Sequence, residues 1–389
     1  MVAAPSRAET GSGVQTYGNY IAGEWRPAAT GETLENRSPS NRNDLVGLFA
    51  ASDADDIRAA VDAAAKAYET WGKGSPIVRA NILHKAANIL EGRIAEVGRE
   101  LAREEGKTLK EGIGETTRAV QILRYYAGEA QQPTGEHYPS INPLTLLYTV
   151  REPLGVCAVI TPWNFPIAIP AWKIAPALAF GNTVVFKPAS ETPLCAVRLV
   201  EALAEAGLPA GVLSLVSGRA AAVGDPLVQD ERVVAISFTG SNEVGASLRK
   251  QAAERGAKIQ LELGGKNPAI VLADADMDHA LMHVVNGAMM STGQKCTATS
   301  RAIVDRRVAG EFTEMLAKKI TSLRVGDPLD PETQIGPLID ETAAERVAGE
   351  VRQAKEQGVS LVAGGERLRD GGRENGSFVA PALFADVDP

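Results

Sequence analysis

Apolar positions along this chain recur in two rhythms. Short apolar runs at 155–160, 183–186, 212–216 and 234–238 read as strands, and segments with apolar residues at helical spacing, 193–206 and 220–229, lie between them. Such alternation predicts β-α-β units: a parallel sheet with helices on both faces, whose ligands sit at the carboxyl ends of the strands.

The flanking regions read differently. Residues 17–52 alternate β-like runs with turns, as a hairpin and an extended arm would. Ile57, Val61, Ala64, Ala65 and Tyr68 have helical spacing within 53–71. Ser75-Pro76 is a helix start, with Ser as cap and Pro at the first helical position. The pattern after it predicts one helix running past Leu101, then another over 109–130. Residues 144–150 form a strand candidate. Beyond Glu262 the pattern predicts a strand at 269–272, a helix at 277–290, a strand at 302–304 and a helix at 311–323. A Pro/Gly/Asp-rich loop at 326–338 and a helix at 341–356 follow. The chain is thus expected to divide into a polar disordered tail, 1–16, a first domain, 17–262, and a second, 263–389.

Composition narrows the function. The chain has 389 residues, 44% hydrophobic and 23% charged, which suits about two domains with large cores. A net charge of -8 argues against a general nucleic-acid binder. No apolar run is long enough to span a membrane, and the first residues lack the apolar core of a signal peptide. Three cysteines are too few for a disulfide framework, which fits a reducing cytoplasm.

Three stretches carry candidate chemistry. Gly293-Gln294-Lys295-Cys296-Thr297 sets a thiol among small and polar residues; alone, a cysteine is more often an inert buried hydrophobe. Leu261-Glu262-Leu263-Gly264-Gly265 places a carboxylate beside a glycine pair. Thr161-Pro162-Trp163-Asn164-Phe165-Pro166 holds an amide between prolines after an apolar strand. Together they offer a nucleophile, a general base and an oxyanion donor. Cys157, in an apolar strand, and Cys195, on an apolar helix, read as core. His279 and His283 have metal-ligand spacing, but no third ligand is evident, so no metal is expected. Phe238-Thr239-Gly240-Ser241 reads either as an ordinary capped turn or as a phosphate site at a helix start. Trp163, Phe165, Ile167, Ile169 and Trp172 either line a tunnel or belong to the core.

On these motifs the chain resembles the NAD(P)-dependent aldehyde dehydrogenase superfamily from Tyr17 onward. Phe378-Val379-Ala380-Pro381 resembles the family too, and there the family's chains continue. The resemblance implies an α/β fold. A Rossmann-like NAD(P)-binding domain over 17–262 would carry an oligomerisation strand at 139–151. An α/β catalytic domain over 263–389 would be incomplete at its C-terminal end. It implies that Cys296 is the nucleophile, that Asn164 and the Cys296 N–H hold the oxyanion, and that Glu262 activates the hydrolytic water, releasing a free acid rather than acyl-CoA. Lys187 and Lys266 would help orient these groups.

NADP or NAD would be held by Ile160, Thr161, Trp163, Lys187, Ser190, Gly218, Gly224, Phe238, Gly240, Ser241 and Leu263. NAD-preferring members carry Glu where this chain has Ser190, so NADP is expected to be accepted. Gly293–Arg301 and Asn164–Lys173 look most like the α-ketoglutaric semialdehyde (2,5-dioxopentanoate) dehydrogenases. Succinate semialdehyde and betaine aldehyde enzymes share the frame, and a truncated non-catalytic relative is the competing class. The resemblance also implies a cytoplasmic enzyme acting on a small aldehyde, a homo-dimer or tetramer in its full-length form.

Overall fold

The four apolar runs become neighbouring parallel strands in the computed structural model, which describes residues 8–9, 14–132 and 134–387. In spatial order the sheet runs Lys258–Glu262, Val233–Thr239, Val156–Ile160, Thr183–Lys187, Leu213–Leu215, Asn19–Ile21 and Glu24–Arg26. The first five are mutually parallel; the N-terminal hairpin adds antiparallel at the far edge. Thr183–Lys187 is buried at every position, as a parallel strand covered on both faces must be. Lys258–Glu262 alternates exposed and half-buried residues, as an edge strand does, which is why no continuous apolar run announces it.

Among the parallel strands the order reverses between Val156–Ile160 and Val233–Thr239. The chain winds outward one way through 183–187 and 213–215, and the other way through 258–262. Such a reversal leaves a crevice at the carboxyl ends of the two central strands, the usual ligand position in doubly wound sheets. Helices Ala168–Ala179, Pro193–Glu205, Ala220–Gln229 and Asn242–Glu254 alternate with the strands.

Local chemistry sets the element ends. Asp53 closes a capping box with Asp56 at the start of Ala54–Trp71. Ser75 caps Pro76–Glu91 with Pro at the first position. The N-terminal hairpin turns on Ala22 (φ 54) and Gly23 (φ 87), the left-handed pair a two-residue turn requires. The helix expected to run past Leu101 instead stops at Glu91 and restarts at Ile94–Glu105. Gly92 is a poor helix former, and Arg93 leaves the helix to grip Glu205 with two bonds of 2.9 and 2.8 Å.

Of the expected 1–16 tail, residues 1–7 and 10–13 lie outside the described residues. Ala8–Glu9 pairs antiparallel with Gln15–Tyr17, so part of it is strand. The strand expected at 144–150 is confined to Leu147–Tyr148, paired with His137–Tyr138. The hairpin around it leaves Ile141, Leu144, Leu146 and Val150 exposed.

The chain divides into two compact units. One takes in residues up to Glu35, Gly47–Ile94 and Glu115–Glu262; the other takes in Asn36–Val46, Ala95–Gly114 and the chain from Leu263. The second unit therefore draws on two early segments that a division along the sequence assigns to the first. It contains the parallel pair Asn267–Val271 and Thr299–Val304, with Met277–Met289 as the crossover. Val271, Val284, Val285, Phe312, Leu316 and Ile320 form its core cluster.

Candidate active site

In the first unit the candidate residues gather at the carboxyl ends of the central strands. Ile160 ends its strand, and the loop that follows carries buried Thr161, half-buried Trp163 and half-buried Asn164. Ile167 and Ile169 are buried and belong to the core, whereas Trp172 is 41% exposed. The next strand ends at Lys187, whose ammonium is buried; burial lowers its pKa and the Glu191 carboxylate opposes that shift. Ser190 Oγ donates to Gly218 O at 3.0 Å, tying the ends of two neighbouring strands together.

Phe238 lies in the strand on the other side of the reversal, and Gly240 N donates to Glu262 O at 3.1 Å. A Cβ on Gly240 would come within 2.4 Å of the tip of the Phe238 ring, so a side chain at this turn would have to displace that ring. Ser241 caps helix Asn242–Glu254 by accepting from Val244 N. Helix Ala220–Gln229 starts at Arg219 with no side-chain cap, which leaves its first N–H groups for an anion, and nothing would crowd a Cβ at Gly224. A buried cation, an uncapped helix start and an open glycine face fit the phosphates of a dinucleotide.

Glu262 ends the edge strand and is exposed. Its neighbours were not foreseen. Gln260, two residues back on the same face, donates from Nε2 to Glu262 Oε1 at 2.9 Å. Lys173 Nζ donates to Gln260 Oε1 and to Ser237 Oγ, both at 2.9 Å. Burial lowers the Lys173 pKa to about 8, and the Glu262 charge opposes the shift. The signal was present: Lys258-Ile259-Gln260-Leu261-Glu262 alternates polar and apolar with period two. Which lysine meets this strand is a tertiary fact.

Leu263 and Cys296 belong to the second unit. After helix Met277–Met289 the chain makes a turn with Ser291, Thr292 and Gly293 all left-handed (φ 53, 54 and 70). Each non-glycine residue held this way costs about 1–2 kcal/mol. Hydrogen bonds hold it there. Ser291 N donates to Glu111 Oε1 at 2.7 Å, Thr292 Oγ1 to Gly336 O at 3.2 Å, and Ile339 N to Gln294 Oε1 at 3.0 Å. Asn267 Nδ2 donates to Cys296 O at 2.6 Å and to Ala298 O at 3.2 Å.

Glu111 is a second residue the sequence reading passed over. Its other oxygen accepts from Thr108 N and Oγ1, a capping box legible as Thr-x-x-Glu. Its reach to Ser291 was not legible. Lys295 has its pKa lowered by burial, with Glu111 pulling it up and Lys107 adding to the decrease.

Cys296 is exposed, while Cys157 and Cys195 are buried. Burial pushes the Cys157 thiol up to about 12, which leaves it protonated and inert at neutral pH. The His279 and His283 rings lie 4.3 Å apart, tilted by 53°, on the exposed face of their helix. Among the described residues no group of three or more His, Cys, Asp or Glu side chains is arranged to hold a metal ion. Lys266 is exposed, and its carbonyl accepts from Arg301.

The sequence pattern of the aldehyde dehydrogenase family matches residues 25–389. The alpha-ketoglutaric semialdehyde dehydrogenase of Bacillus subtilis is 45% identical over 372 residues, covering 96% of this chain and 76% of that protein. The NADP(+)-dependent succinate-semialdehyde dehydrogenase of Escherichia coli is 39% identical over 367 residues, covering 94% and 75%. Among solved structures, the NAD+ complex of a Bacillus cereus aldehyde dehydrogenase matches with a TM-score of 0.92 at 35% identity, covering 95% of this chain and 75% of that one.

Proposed function

This chain belongs to the aldehyde dehydrogenase family, and from that premise we propose that it oxidises α-ketoglutaric semialdehyde to 2-oxoglutarate with NADP or NAD. The observation that carries the substrate is the 45% identity with the Bacillus subtilis enzyme of that name. The 39% identity with an NADP(+)-dependent succinate-semialdehyde dehydrogenase favours that aldehyde as the second reading; betaine aldehyde is the third.

The unit ending at Glu262 serves as the cofactor-binding domain and the other as the catalytic domain. The cofactor accepts a hydride when bound. Lys187 supplies charge to its ribose or phosphate, Ser190 leaves room for a 2′-phosphate, and the Gly240–Ser241 turn takes the pyrophosphate region. Ile160, Thr161, Trp163, Gly218, Gly224, Phe238 and Leu263 complete its surroundings.

The chemistry of this chain's own residues follows from an aldehyde's need for a tetrahedral adduct before hydride can leave. Cys296 Sγ adds to the carbonyl carbon and forms a thiohemiacetal. The Asn164 amide and the Cys296 backbone N–H stabilise the oxyanion. Loss of hydride leaves a thioester on Cys296. Glu262 takes a proton from water, which attacks the thioester and releases the carboxylic acid and the thiol. The sum consumes aldehyde, water and oxidised nicotinamide, and yields acid, reduced nicotinamide and a proton.

Two finer points belong to this proposal. The hairpin at 137–148 exposes several large apolar side chains together, as a subunit contact would, so in its full-length form the protein assembles as a homo-dimer or tetramer. It works in the cytoplasm on a small-molecule aldehyde. The test is reduced-nicotinamide absorbance with both cofactors over α-ketoglutaric semialdehyde, succinate semialdehyde, betaine aldehyde and an alkanal. The expected result is the highest kcat/KM for α-ketoglutaric semialdehyde, with NADP used. A different best aldehyde overturns the substrate, and a kcat/KM for NAD about tenfold or more above that for NADP overturns the role of Ser190.

A further inference from the structure

A guanidinium on helix Leu109–Glu129 stands over the Trp172 ring without a use so far. Glu115, on helix Leu109–Glu129, reaches the start of helix Ala168–Ala179, where its Oε1 accepts from Ile167 N and Ala168 N, both at 3.1 Å. Ile167 provides no side-chain cap of its own. The buried Glu115 carboxylate therefore satisfies N–H groups that a helix start leaves open, and it sets the register of the two helices. Asn164 lies three residues before Ile167, so these bonds also fix where its loop ends.

Arg118 is three residues beyond Glu115 and shares its helix face. Its Cζ lies 5.8 Å from the centre of the Trp172 ring. Trp172 immediately precedes Lys173, the residue that holds Gln260 beside Glu262. Arg118 is exposed. Its hydrogen bond goes to Gln121 Oε1, at 3.2 Å, and among the described residues no carboxylate pairs with it. The guanidinium is thus backed by an aromatic face and keeps N–H donors available. A planar fork of that kind matches a carboxylate with two parallel bonds.

We propose that Arg118, seated on Trp172, is a specificity-determining residue that binds the distal carboxylate of an acidic aldehyde. The inference rests on the reading above, in which the Asn164 amide faces the reacting carbonyl. It adds the cation that an acidic substrate needs and that the sequence did not reveal. A neutral aldehyde has no group for it, so Arg118 separates acidic from neutral aldehydes rather than accelerating both.

The experiment compares the wild-type chain with Arg118→Gln and Arg118→Lys. For each, kcat/KM is measured for α-ketoglutaric semialdehyde and for an alkanal of matched length. In Arg118→Gln the acid-to-alkanal ratio is expected to fall about 10- to 100-fold, mainly through KM for the acidic aldehyde, as loss of a charge-assisted bond predicts. Arg118→Lys, which keeps the charge and loses the fork, recovers part of the ratio. An unchanged ratio, or equal losses on both aldehydes, overturns the proposal. A second readout needs no turnover: 2-oxoglutarate titrated against intrinsic tryptophan fluorescence. Weakening by a similar factor in Arg118→Gln supports the proposal, and equal binding overturns it. If the wild-type chain oxidises no aldehyde, the proposed activity fails, while this binding comparison still decides the role of Arg118.

Discussion

The two compact units hold their reactive groups in contrasting ways. In the first, Glu262 is steered by side chains: Gln260 donates to it, and Lys173 and Ser237 hold Gln260 in turn. In the second, Cys296 follows a left-handed turn and is fixed through backbone groups, by Glu111, Gly336, Ile339 and Asn267. On the proposed roles, Glu262 as base and Cys296 as nucleophile, the difference follows from the tasks. A base must exchange protons with water, so its surroundings are titratable and open. A nucleophile must sit at one point, so its backbone is over-determined and tolerates strain.

Substitutions can break this contrast, and the largest effect is expected at the thiol. Cys296→Ser should lower steady-state oxidation by on the order of 10⁴-fold or more, because a hydroxyl is a far weaker nucleophile. Cofactor binding, followed by fluorescence, should persist; retained turnover would remove Cys296 from its role. Glu262→Gln should slow turnover by about 10²–10⁴-fold while leaving a stoichiometric burst of reduced nicotinamide, since only thioester hydrolysis loses its base. A variant with neither burst nor turnover would place Glu262 before the acyl transfer.

The turn offers a finer probe. Glu111→Ala leaves Ser291 N without its acceptor and is expected to cost about 1–3 kcal/mol in a denaturant melt. It should also change the rate at which iodoacetamide alkylates Cys296. Unaltered alkylation would show that the turn holds itself.

The smallest effect concerns Lys173. Its pKa is about 8 in the folded chain against 10.5 ordinarily. Between these values the unfolded chain binds a proton that the folded chain has released. Stability should therefore rise as pH climbs from about 8 towards 10.5, with the burial penalty present in full below that window. Thermal melts across the window should show a rise that flattens in Lys173→Met. An equal slope in both proteins would assign the titration elsewhere.

The sequence by itself carried the periodic and the punctuated features. Apolar runs at 155–160 and 183–186 specified buried parallel strands, because a strand covered on both faces has no polar side to show. Ser75-Pro76 specified a helix start, because its signal is local. Cys296, Glu262 and Asn164 stood out as a set, a thiol among small and polar residues, a carboxylate beside a glycine pair and an amide between prolines, and through the family resemblance those stretches carry. The break at Gly92-Arg93 did not stand out, since the apolar period continues across it and the competing Glu205 lies on a distant helix. Nor did the second unit's early segments, 36–46 and 95–114, which only packing reveals.

Tertiary structure decided the partners. Lys173 meets Gln260 across 87 positions of sequence, Glu111 meets Ser291 across 180, and Arg118 meets Trp172 on another helix. Hydrophobic period and turn chemistry are properties of neighbours along the chain, so the sequence states them. Which charge reaches which group depends on how finished helices and strands pack, and no window of the sequence contains that distance.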